Sequence, residues 1–292
     1  MNEEAQARLI LLNSIEPGSL FWSGEVKKNG AKKVLDGIYA GFYDDGEDEI
    51  LKIKDRLKSI NVEGAISEIS ENEGQFIYPE HELWPEQIND LGNPPFGLIV
   101  KGELEYLKCL NQSISIVGTR NPTNYGTRIA SDFAAGLADR DWAVVSGGAL
   151  GIDSAAHLGA IAAEGLTIGI LGGGISKPYP LSNSRLFNEI ESKGLLISEV
   201  MPFERARPER FLTRNRLIAA LARCTIVVEA AFRSGSLRTA RDAAELLRIK
   251  PTTLNEMIKR YEIGPRRKKG GDGSEERGDR SSTRTRQSTP AT

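Results

Sequence analysis

The segment Ala143-Val144-Val145-Ser146-Gly147-Gly148 decides the fold of this chain, because a short apolar run passes directly into a glycine-rich turn. The same pattern recurs along the second half of the chain. The other runs are residues 114–117 before Gly118-Thr119-Arg120, 167–171 before Gly172-Gly173-Gly174, 195–197 before Ser198-Glu199, and 225–228 before Glu229-Ala230. Helical stretches, such as 126–138 and 154–163, separate them. Apolar strands that alternate with helices predict βαβ units and an α/β fold with a doubly wound, Rossmann-like parallel sheet.

Outward from this core, the chain divides into four predicted parts. Residues 5–15 and 48–60 have the periodicity of helices, and residues 98–100 are a candidate short strand. The tail from residue 264 has almost no apolar side chains, so it cannot bury enough surface to offset the entropy of ordering. The parts are an N-terminal helical accessory domain (1–75), the Rossmann-like domain (76–241), a short C-terminal helical segment (242–263) and a disordered tail (264–292).

Charge is distributed unevenly along the 292 residues, although the net charge is only −2. Residues 1–110 contain 11 Lys/Arg and 21 Asp/Glu, a balance of −10, whereas residues 111–292 contain 27 and 19, a balance of +8. The basic half also contains the glycine-rich turns. We therefore expect any site for a polyanion in the second half, the alternative being a chance variation of surface charge.

Several classes of protein are excluded by composition. Cys109 and Cys224 form no CxxC pair and lie beside apolar runs, which predicts buried free thiols in a reducing compartment. His81 and His157 are too few for a histidine-rich metal site, and we expect neither metal nor cofactor. No stretch approaches the roughly 20 apolar residues that span a membrane. The acidic N-terminus argues against a secretory signal, so a cytoplasmic location is expected by exclusion.

The ends of the predicted strands favour a phosphate-binding site. Ligands of an open parallel sheet bind outside the carboxyl ends of its strands. Glycine there lets backbone N–H groups approach an oxyanion, and a helix N-terminus adds partial positive charge. Glycine also ends strands for structural reasons, but five such ends together favour phosphate.

The basic residues favour a polynucleotide over a single nucleotide. Residues 146–151 do not form a GxGxxG fingerprint, and the chain has no GxxxxGK[ST] loop. Five arginines fall within a short segment, and further cations lie near the turns. They are Arg205, Arg207, Arg210, Arg214 and Arg216, with Arg120, Lys177, Arg233, Arg238 and Arg241. Guanidinium groups bind phosphate bidentately, and this density suits a nucleic-acid backbone, the alternative being a solvated arginine-rich loop.

Taken together, the motifs of this chain resemble those of the DNA-processing protein DprA (Smf) family. The motifs, in family order and spacing, are Ile116-Val117-Gly118-Thr119-Arg120, Ser146-Gly147-Gly148-Ala149-Leu150-Gly151-Ile152-Asp153, Ala156-His157, Tyr179-Pro180, Ser198-Glu199, Arg214-Asn215-Arg216 and Ser234-Gly235-Ser236. The resemblance covers about residues 76–241. It implies binding of single-stranded DNA and loading of a RecA-type recombinase onto DNA taken up in natural transformation, without catalysis.

The resemblance also implies a set of binding residues. Gly118 and Arg120 would contact one phosphate, and the backbone of Ser146, Gly147 and Gly148 another. Arg214 and Arg216, which flank Asn215, would face the strand, and Ser234, Gly235 and Ser236 would form a further anion-binding turn. Lys177 is a weaker candidate, since it could equally be a solvated loop lysine.

Asp153 and His157 lie four residues apart, on one face of a predicted helix. Such a pair could transfer a proton, but no nucleophile accompanies it. Asp153 also suits a helix N-cap. We therefore favour a structural role for both residues.

The resemblance fails after Arg241, where the family continues into another strand. Residues 242–261 instead resemble the last two helices of a Fis-type helix-turn-helix, with Thr252-Thr253 beginning the recognition helix and Lys259 and Arg260 near DNA. The alternative is a frameshift or recombination scar. Loss of the strand puts the family's dimer surface in doubt, so a homodimer stays an open expectation.

Two other functions remain as alternatives to DNA binding. One is a nucleotide-binding or nucleotide-hydrolysing enzyme of the lysine-decarboxylase-like, cytokinin-activating fold, for which Glu229 is the only glutamate close by. That class has PGGxGTxxE where this chain has Phe232-Arg233-Ser234-Gly235-Ser236-Leu237-Arg238. The other is a truncated, decayed copy that folds poorly. The arginine cluster and the absent motif favour the DNA-binding protein.

Overall fold

The predicted strands pair in one seven-stranded sheet in a computed structural model, which describes residues 1–43, 48–230 and 235–246. The strands are β1 (Gly74–Ile77), β2 (Leu98–Gly102), β3 (Ser113–Val117), β4 (Ala143–Ser146), β5 (Thr167–Ile170), β6 (Leu195–Ser198) and β7 (Cys224–Val227). Their order is β1-β2-β6-β5-β4-β3-β7. The five strands from β6 to β7 are parallel, whereas β2 pairs antiparallel with both β1 and β6. The predicted Rossmann-like α/β fold is confirmed.

Helices precede the sheet and connect its parallel strands. They are α1 (Glu3–Ser14), α2 (Leu20–Asn29), α3 (Ala31–Ala40), α4 (Asp48–Leu57), α5 (Val62–Glu71), α6 (Asn124–Ala138), α7 (Ile152–Ala162), α8 (Ser184–Lys193), α9 (Pro208–Leu221) and α10 (Gly235–Leu246). Short 3-10 helices span Glu86–Asp90, Leu104–Gln112 and Leu181–Asn183. None of the helices in the described ranges is long and apolar enough to cross a membrane.

Both faces of the sheet are covered because successive strand residues point to opposite sides. On one face, Ile116 and Val144 pack against α6 and α7. On the other, Val117 and Val145 pack against α9 and the 3-10 helices. Helices α6 and α7 approach so closely that a Cβ on Gly159 would lie 2.3 Å from a backbone oxygen of α6. Only glycine fits this crossing.

The N-terminal helices share a core with the sheet. Leu9, Ile38 and Ile53 are buried in one cluster with Ile99 and Phe187 of the Rossmann-like part. The helices α1 to α5 agree with the helical character predicted for residues 1–75, but the proposed division at residue 75 stays a prediction, because packing continues across it.

A carboxylate just after α1 ties the N-terminal helices to the segment before α9. Glu16 accepts hydrogen bonds from Arg56 at 3.2 Å, Arg207 at 3.4 Å and Arg210 at 2.9 Å. Arg210 also donates to Glu204 at 2.7 Å. Burial raises the pKa of Glu16, but the hydrogen bond from Arg210 and the positive charges of Arg210, Arg207 and Arg56 together lower that pKa overall.

The edge strand β7 corrects one expectation about the cysteines. Both are free, but Cys109 is only partly buried and Cys224 is exposed, where burial of both was expected. Cys224 begins β7, which pairs only with β3 among the described residues and leaves its outer side open. An apolar run therefore did not imply burial on both faces.

Residues 242–246 form the last part of α10, so the boundary predicted after Arg241 falls inside a continuous helix. The rest of the helix-turn-helix-like segment and the tail from residue 264 lie outside the described residues. No strand follows β7 within the described ranges.

Candidate functional site

A cavity of about 620 Å³ opens at the carboxyl end of β3, where the chain order of the sheet reverses between β3 and β7. This is the position at which doubly wound sheets bind ligands. Its walls come from the β3 turn, the loop after β4, the start of α9 and the start of α10. The lining includes Gly118, Thr119, Arg120, Ala149, Asp153, Tyr179, Phe211, Leu212, Arg214, Asn215, Gly235 and Ser236.

The turn after β3 meets the start of α10. The Ser236 hydroxyl donates to the Gly118 carbonyl at 2.6 Å. A Cβ on Gly118 would lie 2.5 Å from Ile152, so the turn requires glycine. Asn215 of α9 donates to the Gly235 carbonyl at 3.2 Å. Predicted site residues that are far apart in sequence thus share one wall of the cavity, while Ser234 lies outside the described residues.

Two exposed cations lie at and beside the mouth of the cavity. The Arg120 guanidinium carbon is 5.7 Å from the centre of the Phe211 ring, which is 5.7 Å from the Tyr179 ring. The Lys177 ammonium is 5.6 Å from the Phe203 ring. These are cation–π distances. Neither cation forms an ion pair within the described part of the chain, so both charges face solvent.

The glycine-rich loop after β4 is braced from inside the protein. Ser146 is buried and donates to the Ile116 carbonyl at 2.6 Å. The Gly147 carbonyl accepts from Arg214 at 2.9 Å, and the Gly148 carbonyl accepts from Asn183 at 2.9 Å. Gly148 has a φ of +68°, which favours glycine. Ser146, Gly147 and Gly148 therefore shape the loop, and the cavity wall itself begins at Ala149.

Asp153 is buried at the floor of the cavity, where its carboxylate accepts from the Ala149 backbone N–H at 3.4 Å. Burial raises the pKa of Asp153, against the lowering effects of Arg214 and of backbone hydrogen bonds from Ala149, Gly118 and Gly147. The predicted N-cap role is wrong, because Gly151 caps α7 and Asp153 belongs to its first turn.

Arg214 extends from α9 beneath the same loop and is only 7% exposed. It donates to the carbonyls of Gly147 and Ile170. Burial lowers the pKa of Arg214 to about 10, with Asp153 opposing and Arg120 adding to the effect. Its guanidinium is thus still positive at neutral pH.

His157 is sealed in the interior and does not line the cavity. Its Nδ1 lies 2.7 Å from the Thr167 hydroxyl, which itself donates to the Val144 carbonyl at 3.0 Å. We assign the proton to Nδ1, because the hydroxyl proton is already used. Burial and then the charge of Arg214 lower the pKa of His157 to about 3, so the ring is neutral. This geometry supports the structural role.

Two other arginines of the predicted cluster are held in ion pairs. Arg216 donates to Glu199 at 2.6 Å, with side chains 8% and 10% exposed. Arg210 is 7% exposed and holds Glu16 and Glu204. The structure therefore does not bring Arg216 to the cavity. The density of arginines in the sequence did not show which of them have carboxylate partners.

One residue of the site was not singled out from the sequence, and the glutamate considered for an enzyme lies outside the cavity. Phe211 provides the aromatic wall, and its only sequence signal is a place among arginines. Glu229 accepts from the Thr123 backbone N–H at 2.8 Å, at the start of α6. Its carboxylate thus satisfies a helix N-terminus and does not line the cavity.

Comparison with known proteins gives the same family, but the match extends past Arg241, where the sequence analysis ended the resemblance. A profile of the family described as DNA recombination-mediator protein A matches residues 75–259, more than half of the chain. A provisionally named DNA processing protein DprA of Mycobacterium tuberculosis is 43% identical over 187 residues, which cover 60% of this chain and 48% of that protein. The chain spans about half the length of the curated relatives it matches.

Two solved structures have a similar fold. DNA processing protein A of Streptococcus pneumoniae superposes with a TM-score of 0.62 at 28% identity, covering 79% of this chain and 85% of that one. DNA processing protein A of Helicobacter pylori superposes with a TM-score of 0.56 at 29% identity, covering 66% and 92%. The Helicobacter structure is described as giving insight into a single-stranded DNA binding mode.

Proposed function

Because this chain belongs to the DNA recombination-mediator protein A family, we propose that it binds single-stranded DNA at the cavity above β3 and acts in DNA processing without catalysing a reaction. The observation that carries the proposal is the combination of free cations with exposed apolar side chains around one cavity. Arg120 and Lys177 form no ion pair among the described residues and can meet phosphates, and Tyr179 is 54% exposed beside the Phe211 ring.

This combination suits a single strand better than a duplex. Phosphate contacts supply affinity for either form. Exposed aromatic and apolar side chains add affinity only where bases are unstacked and present their faces. Leu212 lines the same cavity and is 48% exposed. Both kinds of contact are therefore available only to single-stranded nucleic acid.

The absence of catalysis is supported by the state of the acidic residues near the cavity. Asp153 is buried against backbone N–H groups, and Glu229 is used at the start of α6. His157 is sealed from the cavity. A carboxylate that acts as a general base must be free to reach water, and both of these carboxylates are already used by backbone N–H groups.

The wider role belongs to the same proposal and rests on family membership. It includes natural transformation, DNA recombination, loading of a RecA-type recombinase, a homodimer and a cytoplasmic location. DNA contact by the helix-turn-helix-like segment, and an accessory role for residues 1–75, are further parts of it. Co-sedimentation with a RecA-type recombinase on single-stranded DNA measures the partner prediction.

The test of the central proposal is a titration of the full chain with a labelled oligonucleotide, single-stranded and as a duplex. We expect tighter binding of the single strand. Tyr179→Ala should weaken that binding by about 5- to 100-fold, the loss of one stacked base, and leave duplex binding unchanged. Tyr39→Ala removes an equally exposed tyrosine from α3 and should have no effect. Equal affinities for both forms would overturn the proposal.

A further inference from the structure

A carboxylate of the protein itself occupies the anion-binding position of the glycine-rich loop. Asp153 is 6% exposed, and its Oδ2 accepts from the Ala149 N–H at 3.4 Å. The backbone N–H groups of Gly118 and Gly147 also lie close enough to lower the pKa of this carboxyl. It lies in the first turn of α7, where the helix adds partial positive charge. Convergent N–H groups at a helix start are the donor set that binds phosphate in related sheets.

A buried cation lies near enough to this carboxyl for its charge to lower the pKa of Asp153. Arg214 is 7% exposed, and both it and Asp153 line the cavity. Its Nη1 donates to two carbonyls, but its Nε has no hydrogen-bond partner among the residues the structure describes. A guanidinium with an unused donor near such N–H groups favours the binding of an anion. The anion that this sequence supplies is the side chain of Asp153.

We propose that Asp153 is a specificity-determining residue, whose carboxylate fills the anion position of the glycine-rich loop and thereby excludes nucleoside monophosphates from the cavity. A phosphate that entered would meet a like charge and would have to displace the bonds that Asp153 makes. The phosphates of a polynucleotide are instead held at the mouth by Arg120 and Lys177. The inference rests on the proposed function in this one respect, that the same cavity takes DNA.

The experiment replaces the Asp153 carboxylate and measures whether an added phosphate compound then binds. Asp153→Ala opens the position, and Asp153→Asn removes the charge while keeping the shape. Binding of adenosine 5′-monophosphate and of inorganic phosphate is measured by calorimetry. The wild-type chain should show no binding at millimolar ligand, and each variant should bind at least about tenfold more tightly than that limit, since one charge-assisted contact contributes this much.

The matched control is Glu199→Gln. It also removes a buried carboxylate beside an arginine of α9, but Glu199 does not line the cavity. We expect no gain in affinity from it. If the Asp153→Ala chain is unfolded, restoration of its fold by added phosphate or formate would support the proposal. If it does not fold with either anion, the nucleotide affinity of Asp153→Asn is the deciding measurement.

The proposal is overturned if the wild-type chain binds the nucleotide as tightly as the variants, or if neither variant gains affinity. Single-stranded DNA is titrated in parallel. If the wild-type chain does not bind single-stranded DNA, the proposed function is refuted. The nucleotide measurement then still decides the role of Asp153. The two failures are therefore distinguishable.

Discussion

Replacing Arg120 and Lys177 together by alanine should change the salt dependence of DNA binding more clearly than the affinity at any one salt concentration. Both side chains are exposed, and neither is held in an ion pair within the described residues. Each is therefore free to neutralise one phosphate. Counterions released from a single strand give a slope of log K against log salt of about −0.7 per phosphate contacted.

The expected magnitude follows from the number of free cations. Loss of two phosphate contacts should make the slope shallower by about 1.4. Between about 50 and 200 mM salt, a fourfold change, the wild-type affinity should then fall by a factor about sevenfold larger than that of the double variant. Fluorescence anisotropy with a labelled oligonucleotide at four or five salt concentrations measures both slopes.

The control removes the same amount of positive charge at the amino ends of the strands. Lys108 lies before β3 and Arg140 before β4, so neither is near the carboxyl ends. The double variant Lys108→Ala with Arg140→Ala should keep the wild-type slope. Equal slopes for the Arg120 and Lys177 variant and the wild type would refute the assignment of these cations, and equal changes in both variants would reduce it to a net-charge effect.

Three further predictions concern the scaffold. Arg216→Ala should destabilise the fold by about 3–5 kcal/mol in urea denaturation, because it leaves the buried Glu199 carboxylate unpaired. Gly159→Ala should cost about 1–3 kcal/mol, because its Cβ overlaps the backbone of α6, whereas Gly24→Ala has open space and should be neutral or stabilising. Because burial lowers the pKa of His157 to about 3, the free energy of unfolding should fall by about 2 kcal/mol between pH 7 and pH 5, and His157→Gln should lack that loss.

The sign of the pH effect follows from proton binding. The unfolded chain takes up a proton on His157 below its ordinary pKa of about 6.5, whereas the folded chain does so only near 3. Stability is therefore lost as the pH falls. Equal pH dependence in the wild type and in His157→Gln would contradict the burial argument. For Arg216, an unchanged urea midpoint would show that Glu199 is solvated in the variant.

The parallel strands could be predicted from the sequence, because each is a short apolar run followed by a glycine-rich or polar turn, and all of them except the edge strand β7 are largely buried on both faces. The strand β1 could not, since Gly74-Gln75-Phe76-Ile77 has only two apolar residues before Tyr78. It becomes a strand by pairing with β2, which is a contact between distant residues.

The site was only partly predictable for the same reason. The motifs bring Gly118, Arg214, Asn215 and Ser236 to one cavity, as the order of the sheet requires. The fate of each charged side chain depends on partners elsewhere in the chain. Arg216 pairs with Glu199, and Arg210 pairs with Glu16. No local pattern distinguishes these arginines from Arg120, which forms no ion pair among the described residues.

The three arginines that meet at Glu16 make the N-terminal helices and the cavity energetically dependent on each other. Arg207 and Arg210 lie on either side of Pro208, which lines the cavity together with Ala206. Detaching the helices would release this segment and so dismantle part of the binding wall. By thermodynamic linkage, free DNA at a concentration of one hundred times its Kd would raise the free energy of detaching the helices by about 2.7 kcal/mol. Resistance of residues 1–43 to proteolysis should then report occupancy of a cavity that those residues do not themselves line.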